Sequence, residues 1–218
     1  MRVILFGATG MIGRGVLREC LLDDRVTAVL TVGRAPTGLG HGKLREIRHD
    51  DLLDLGPIEG ELGGYDACFF CLGVSSAGMS ERDYRRITYD FALSAGRTLA
   101  RLSPGSTFVY VSGAGTDAEG RSMWARVKGE TENALLALPL EAYMFRPGYI
   151  QPMHGVTSRT RLYRVAYVVT RHLYPILRRM FPSAVTTTEK IGRAMIAVAE
   201  RGAPKRILEP SDINALAP

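Results

Sequence analysis

The chain has little that would staple it, metallate it or hold it in a bilayer. Its 218 residues include three cysteines, Cys20, Cys68 and Cys71, an odd number that builds no disulfide framework. That count predicts a reducing compartment and a cytoplasmic location. Cys68 and Cys71 do spell C-x-x-C. They lie in an apolar run, where strand residues three apart face opposite sides, so neither a redox pair nor a metal site is expected. No apolar run approaches the roughly 18 residues of a spanning helix, and the opening Met-Arg leads into a strand without a signal-peptide pattern. Internal repeats and low-complexity tracts are absent. So are recognisable nucleic-acid motifs and basic blocks interleaved with aromatics, and no nucleic-acid partner is expected. The net charge of +6 and pI of about 9.4 favour anionic ligands or surfaces.

What is present is concentrated in the first fifteen residues. Val3-Ile4-Leu5-Phe6 reads as a strand buried on both faces. It runs into Gly7-Ala8-Thr9-Gly10-Met11-Ile12-Gly13, after which Val16, Leu17 and Leu21 recur at helical spacing. Strand, glycine turn and helix expose backbone N–H groups at a helix N-terminus, where an anion is favoured. Gly7 suits the tight turn, Gly10 the close approach of a pyrophosphate, and Gly13 close packing of helix on strand. Thr9, Met11 and Ile12 belong to the same candidate dinucleotide cradle.

Strand and helix signals then alternate, which predicts an α/β fold: a Rossmann-like, doubly wound parallel sheet with a small C-terminal helical, substrate-covering region. Strands are expected at 26–32, 44–47, 65–72, 107–111, 141–145 and 206–208, and helices at 81–102 and 119–138. Thr186-x-x-Glu189 reads as a capping box opening a helix over 187–201. The length suits one domain, 1–218, with a cofactor-binding core at 1–149 and a cover region at 150–218.

From Ala142 to Thr188 there is no Asp or Glu, while arginine recurs. Leu162, Val165, Ala166, Val169, Leu173, Ile176, Leu177 and Met180 form one apolar stripe, with Arg164, Arg171 and Arg178 opposite and Pro175 set to kink the helix. Such a helix fits a solvated arginine face, a peripheral membrane contact, or an interface or anionic-substrate wall.

Cofactor preference turns on the end of the second strand. NAD selectivity uses a carboxylate there; this chain has Gly33-Arg34. A guanidinium pairs with a 2′-phosphate, so NADP(H) is expected. Further cofactor contacts are expected where strands end: Asp51 and Leu52 at the adenine, Cys71, Leu72 and Gly73 along the cofactor backbone, and Pro147, Gly148 and Tyr149 flanking the nicotinamide.

Together, Gly7-x-x-Gly10-x-x-Gly13, Asp51-Leu52, Cys71-Leu72-Gly73, Ser112-Gly113, Val127-Lys128-Gly129-x-x-Glu132 and Arg146-Pro147-Gly148 resemble an atypical short-chain dehydrogenase/reductase, of the NmrA-like or Tat-interacting-protein-like branch. The resemblance implies a Ser–Tyr–Lys site. Ser112 would hold the substrate oxygen, Lys128 would bind the nicotinamide ribose, and a tyrosine four residues before the lysine would exchange the proton. That position holds Trp124, the one tryptophan of the chain, whose indole N–H is a donor only. Three alternatives stay open. Another acid serves (Tyr149, Tyr89, His154 or a water held by Ser112 and Lys128); the chain binds NADP(H) without turnover, as a redox sensor; or it catalyses a reaction in which bound cofactor is structural, sugar-nucleotide epimerase-like chemistry being a further reading of the function. The substrate is taken to be a small carbonyl or hydroxyl compound; oligomeric state is not assigned.

Overall fold

The computed structural model describes residues 1–154 and 184–217. The arginine-rich amphipathic helix expected near 160–180 lies outside the described residues. Among the described residues, seven strands form one sheet in which every neighbouring pair is parallel. In chain order these are β1 (Arg2–Phe6), β2 (Ala28–Gly33), β3 (Leu44–Arg48), β4 (Ala67–Phe70), β5 (Thr107–Val111), β6 (Glu141–Phe145) and, later, β9 (Ile207–Leu208). Their spatial order is β3-β2-β1-β4-β5-β6-β9. The order reverses between β1 and β4, and in open α/β sheets ligands bind at such a switch point.

Why these runs become central strands is visible in their burial. β1, β4, β5 and β6 are almost wholly apolar, and alternate residues face opposite layers. Val3, Leu5, Phe69, Val109 and Phe145 pack on one side against α1 (Met11–Leu22) and α5 (Thr188–Arg201). Ile4, Phe6, Phe70, Phe108 and Tyr110 pack on the other against α3 (Phe91–Leu102) and α4 (Met123–Leu136). Cys68 belongs to the second layer and Cys71 to the first, so the C-x-x-C pair is split by the sheet. All three cysteines are free and buried.

The long helix expected at 81–102 is interrupted. α2 (Glu81–Arg85), capped by Ser80 accepting from the Asp83 N–H, passes through a π turn at Arg86–Asp90 into α3. The helix expected from 119 starts at Met123, because the preceding loop folds back over α4: a Cβ on Gly129 would lie 2.3 Å from the Ala118 nitrogen. The cap of α5 is Thr187 rather than Thr186. Both are buried in β8, and Thr187, extended at its end, accepts through Oγ1 from the Lys190 N–H at 3.0 Å. The sequence did not announce the small parallel pair of β7 (Tyr149–Gln151) with β8 (Val185–Thr187), or α6 (Pro210–Leu216) and its Glu209–Asp212 capping box. Among the described residues no helix is long and apolar enough to cross a membrane, and no cluster of His, Cys, Asp or Glu could hold a metal ion.

Candidate functional site

The turn between β1 and α1 has the geometry of an anion cradle. Gly7 adopts φ +80°, in the left-handed region, and a Cβ there would lie 2.6 Å from the Leu72 nitrogen. The chain leaving β4 therefore passes against the turn itself. A Cβ on Gly13 would lie 2.1 Å from the Gly7 carbonyl oxygen, so the first turn of α1 closes on the strand end. The Gly10 N–H donates to that same oxygen at 2.9 Å. Gly10 is the extended N-cap of α1, no side chain caps the helix, and its first turn carries no acid. The N–H groups of Met11, Ile12 and Gly13 have no partner inside the helix. Thr9, Met11 and Ile12 are half-buried beside them.

Around this cradle the expected contacts take up different stations. Arg34 follows β2 and is exposed; among the described residues it makes no ion pair. Two further exposed arginines were not singled out in the sequence. Arg48 is paired with Gly33 by the β2–β3 register, and Arg14 follows the last glycine of the turn. Both are exposed and without an ion-pair partner among the described residues. The register alone exposes Arg48 as a neighbour of Arg34, and a register is not legible in a short strand with one half-buried face.

Asp51 is exposed and its carboxylate accepts from the Leu53 N–H at 3.0 Å, while Leu52 is buried in the sheet's second layer. The Cys71 N–H donates to the Phe6 carbonyl, its side chain is buried, and burial pushes its thiol up. Leu72 is half-buried and Gly73 exposed. The Pro147 carbonyl accepts from the Ala114 N–H at 3.0 Å, tying the loops after β5 and β6 together. A Cβ on Gly148 would lie 2.5 Å from the Ala184 oxygen, so this glycine serves the seat of β7 beside β8.

The Ser–Lys wall forms at the end of β5. Ser112 is buried and anchored by its N–H to the Phe145 carbonyl at 2.7 Å. Its Oγ lies 3.0 Å from Thr116 Oγ1, and Thr116 donates to the Gly113 carbonyl at 2.8 Å. A hydroxyl has one proton. With that of Thr116 given to Gly113, the Ser112–Thr116 bond carries the Ser112 proton, and Ser112 meets the site as an acceptor. Lys128, half-buried on α4, donates from Nζ to the Val111 carbonyl at 3.3 Å and sits 5.4 Å from the centre of the Tyr110 ring. Burial pushes its ammonium down to about 8, against the pull of the Glu132 carboxylate one turn on.

Glu132 is itself taken. Arg146 holds it through Nη2 at 2.6 Å and Nε at 3.0 Å, and reaches Glu209 at 3.4 Å. Trp124, one turn before Lys128, brings its ring tip to the loop after β5: a Cβ on Gly115 would lie 3.6 Å from Trp124 Cη2. So Ser112, Trp124 and Lys128 share one wall. The other acids considered from sequence have partners of their own. Tyr149 donates to Gln151 Oε1 at 2.9 Å, the Arg85 guanidinium lies 4.4 Å from the centre of the Tyr89 ring, and His154 Nε2 lies 3.1 Å from Glu189.

No family model matches the chain. It is 28% identical over 214 residues to Protein FMP52-2, mitochondrial, of Scheffersomyces stipitis, covering 94% of this chain and 90% of that protein. It is 25% identical over 151 residues to Protein HTATIP2 of Rattus norvegicus, covering 68% of this chain and 62% of that protein. Among solved structures, a dTDP-glucose 4,6-dehydratase of Streptomyces venezuelae with NAD and TYD bound superposes with a TM-score of 0.72 at 17% identity, over 95% of this chain and 74% of that one. The FMP52 proteins of S. stipitis, Emericella nidulans and Meyerozyma guilliermondii are all named mitochondrial, which overturns the expected cytoplasmic location. The three thiols behind that expectation are core residues, and a core thiol says nothing of which compartment surrounds the protein. Fold and sequence relatives together support the resemblance to the atypical branch of the short-chain dehydrogenase/reductase superfamily.

Proposed function

We propose that this protein is an NADP(H)-dependent oxidoreductase acting on a small carbonyl or hydroxyl compound. The observation that carries the reading is the cradle at the switch point: a left-handed Gly7, a Gly13 whose Cβ would strike the Gly7 oxygen, and an uncapped, acid-free helix N-terminus. A pyrophosphate fits there because it is anionic, needs close backbone approach and accepts several N–H bonds. Bound reduced nicotinamide supplies a hydride; the chain's own residues bind, orient and handle the proton. Ser112 and Lys128 form the substrate-side wall, with Tyr149 on β7 as a further candidate at the nicotinamide end. Asp51, Leu52, Cys71, Leu72, Gly73, Pro147 and Gly148 border the cofactor groove.

The preference for NADP(H) rests on Arg34, supported by Arg14 and Arg48, three exposed guanidinium groups with no ion-pair partner among the described residues. Calorimetric titration with NADPH and NADH tests it. NADPH is expected to bind at least tenfold tighter, about 1.4 kcal/mol, and Arg34→Ala to erase most of that difference. Equal or tighter binding of NADH overturns the preference.

A second reading, a non-catalytic NADP(H) sensor, is favoured by Trp124, which removes the usual proton-transfer phenol. Turnover of NADPH with a panel of aldehydes and ketones separates the two. Bound cofactor that is never oxidised by any of them supports the sensor.

A further inference from the structure

We propose that Lys128 is itself the acid that protonates the substrate oxygen in reduction, and the base that takes the proton back in oxidation. The inference rests on the oxidoreductase reading above. Trp124 offers an indole N–H, which is a donor but not a proton source near neutral pH. The Ser112 proton points to Thr116, and the Thr116 proton to Gly113. The Tyr149 proton goes to Gln151. Lys128 is the group on that wall with protons left over. An ammonium has three donors, and one of them goes to the Val111 carbonyl.

What faces Lys128 also frees it to act. On its own helix Glu132 is the carboxylate within reach, and Arg146, just past β6, holds both of its oxygens. From β5 the neighbouring titratable group is Tyr110, whose buried phenol stays protonated because burial pushes it up. Behind Tyr110, Tyr84 of α2 is also pushed up by burial. Nearby on α4, Glu130 is paired to Arg85. Arg126 is paired to Glu81. Among the described residues no carboxylate makes an ion pair with Lys128. A half-buried ammonium without a counter-ion gives up its proton at lower pH than a solvated one. Burial brings this one to about 8, close to working pH, where a general acid is most effective.

The step balances. A bound reduced nicotinamide would supply the hydride for the new C–H bond, leaving the carbonyl π pair on oxygen. That oxygen takes a proton from Lys128 Nζ, and solvent reprotonates the neutral amine. Ser112 Oγ, as an acceptor, holds the hydroxyl once it has formed. A lysine that only bound the ribose would be replaceable by arginine, which keeps the charge and the donors. A lysine that delivers the proton would not, because arginine does not ionise near neutral pH.

The test has three readouts. First, limiting amine acylation of the intact protein from pH 7 to pH 10.5, followed by mass spectrometry, compares Lys128 with Lys43, Lys190 and Lys205, the other lysines of the chain. Lys128 is expected to gain reactivity with a midpoint near 8, and a Lys128 that becomes reactive only together with the other three overturns the proposal. Second, quenching of Trp124, the one tryptophan, reports NADPH binding. Lys128→Arg is expected to keep that binding within about threefold while kcat on the carbonyl panel falls at least 100-fold, the lower range for a lost general acid. Arginine that turns over like lysine overturns the proposal. Third, wild-type kcat for reduction is expected to fall as pH rises through about 8; a flat profile to pH 10 overturns it. Wild type that binds NADPH but reduces nothing in the panel overturns the acid role while the cofactor reading stands. Absence of quenching by NADPH overturns the cofactor reading itself, and the acid role with it.

Discussion

Removing the Glu132 carboxylate is expected to destabilise the fold more than any surface change on α4. Glu132 is buried, its side chain 2% exposed, and the Arg146 side chain is 19% exposed. Glu132→Ala would leave the guanidinium with Glu209 alone, at 3.4 Å and itself about half exposed. Breaking a buried pair by deleting one partner costs about 3–5 kcal/mol, because the remaining charge is desolvated and uncompensated. Against a total stability of roughly 5–15 kcal/mol that is severe. At roughly 2–4 °C per kcal/mol for a chain of this size, it lowers the melting temperature by roughly 6–20 °C. Urea unfolding followed by circular dichroism reads the loss. The double variant Glu132→Leu/Arg146→Met removes both charges and fills similar volume, so it is expected to recover most of the stability. A loss below about 1 kcal/mol in Glu132→Ala, within the range of an exposed pair, would refute the assignment of this ion pair as a buried brace. So would a double variant no more stable than the single.

Three further outcomes follow from the same geometry. Gly13→Ala forces a Cβ to within 2.1 Å of the Gly7 oxygen; it is expected to abolish Trp124 quenching by NADPH and to lower the melting temperature, and unchanged binding would contradict the cradle. Lys128 is held at about 8 in the fold against 10.5 for a free lysine, so between those values the unfolded chain binds more protons and wild-type stability rises with pH. Lys128→Met, which has no proton to lose, is expected to exceed wild type by up to about 3 kcal/mol at pH 7 and to lose that advantage by pH 10.5; a constant gap would contradict the burial of a charged Lys128. Thr116→Val strands the buried Ser112 hydroxyl and is expected to cost about 1–3 kcal/mol in thermal unfolding, with Ser112→Ala/Thr116→Val restoring much of it; a neutral single variant would contradict the proton direction assigned to that pair.

How far the sequence could be read depended on whether a residue's neighbours were local. The central strands were legible because burial on both faces writes an unbroken apolar run, as in Val3–Phe6 and Phe108–Val111. The glycine turn was legible because its constraints lie within seven residues. Arg48 was not, since its place beside Gly33 depends on a strand register set across an intervening loop. β7 and β8 are three residues each and find one another across more than thirty residues of chain, too short and too distant to leave a periodic signal. The π turn at Arg86–Asp90 has no distinguishing residue type. Thr186 and Thr187 look alike as caps in sequence, and both are buried in β8; Thr187, the last residue of that strand, is the one whose hydroxyl accepts from the Lys190 N–H.

The same distinction divides the motifs that suggested an enzyme. Gly129 is required by the close passage of Ala118, Gly148 by the Ala184 carbonyl, and Glu132 and Arg146 by one another. Packing alone accounts for those four, so their presence does not argue for catalysis. Ser112, Trp124 and Lys128 are different. A serine whose proton is already spent, a tryptophan tip laid over a loop, and a half-buried ammonium whose nearest carboxylate is held elsewhere add nothing to the core that apolar residues would not supply better. Lys128 in particular costs stability at neutral pH, because burial disfavours its charge. Groups held at such a cost mark a site of function more often than a structural accident. The case for chemistry in this protein therefore stands on Lys128, and the substitution that decides it is Lys128→Arg, which keeps the charge and removes the transferable proton.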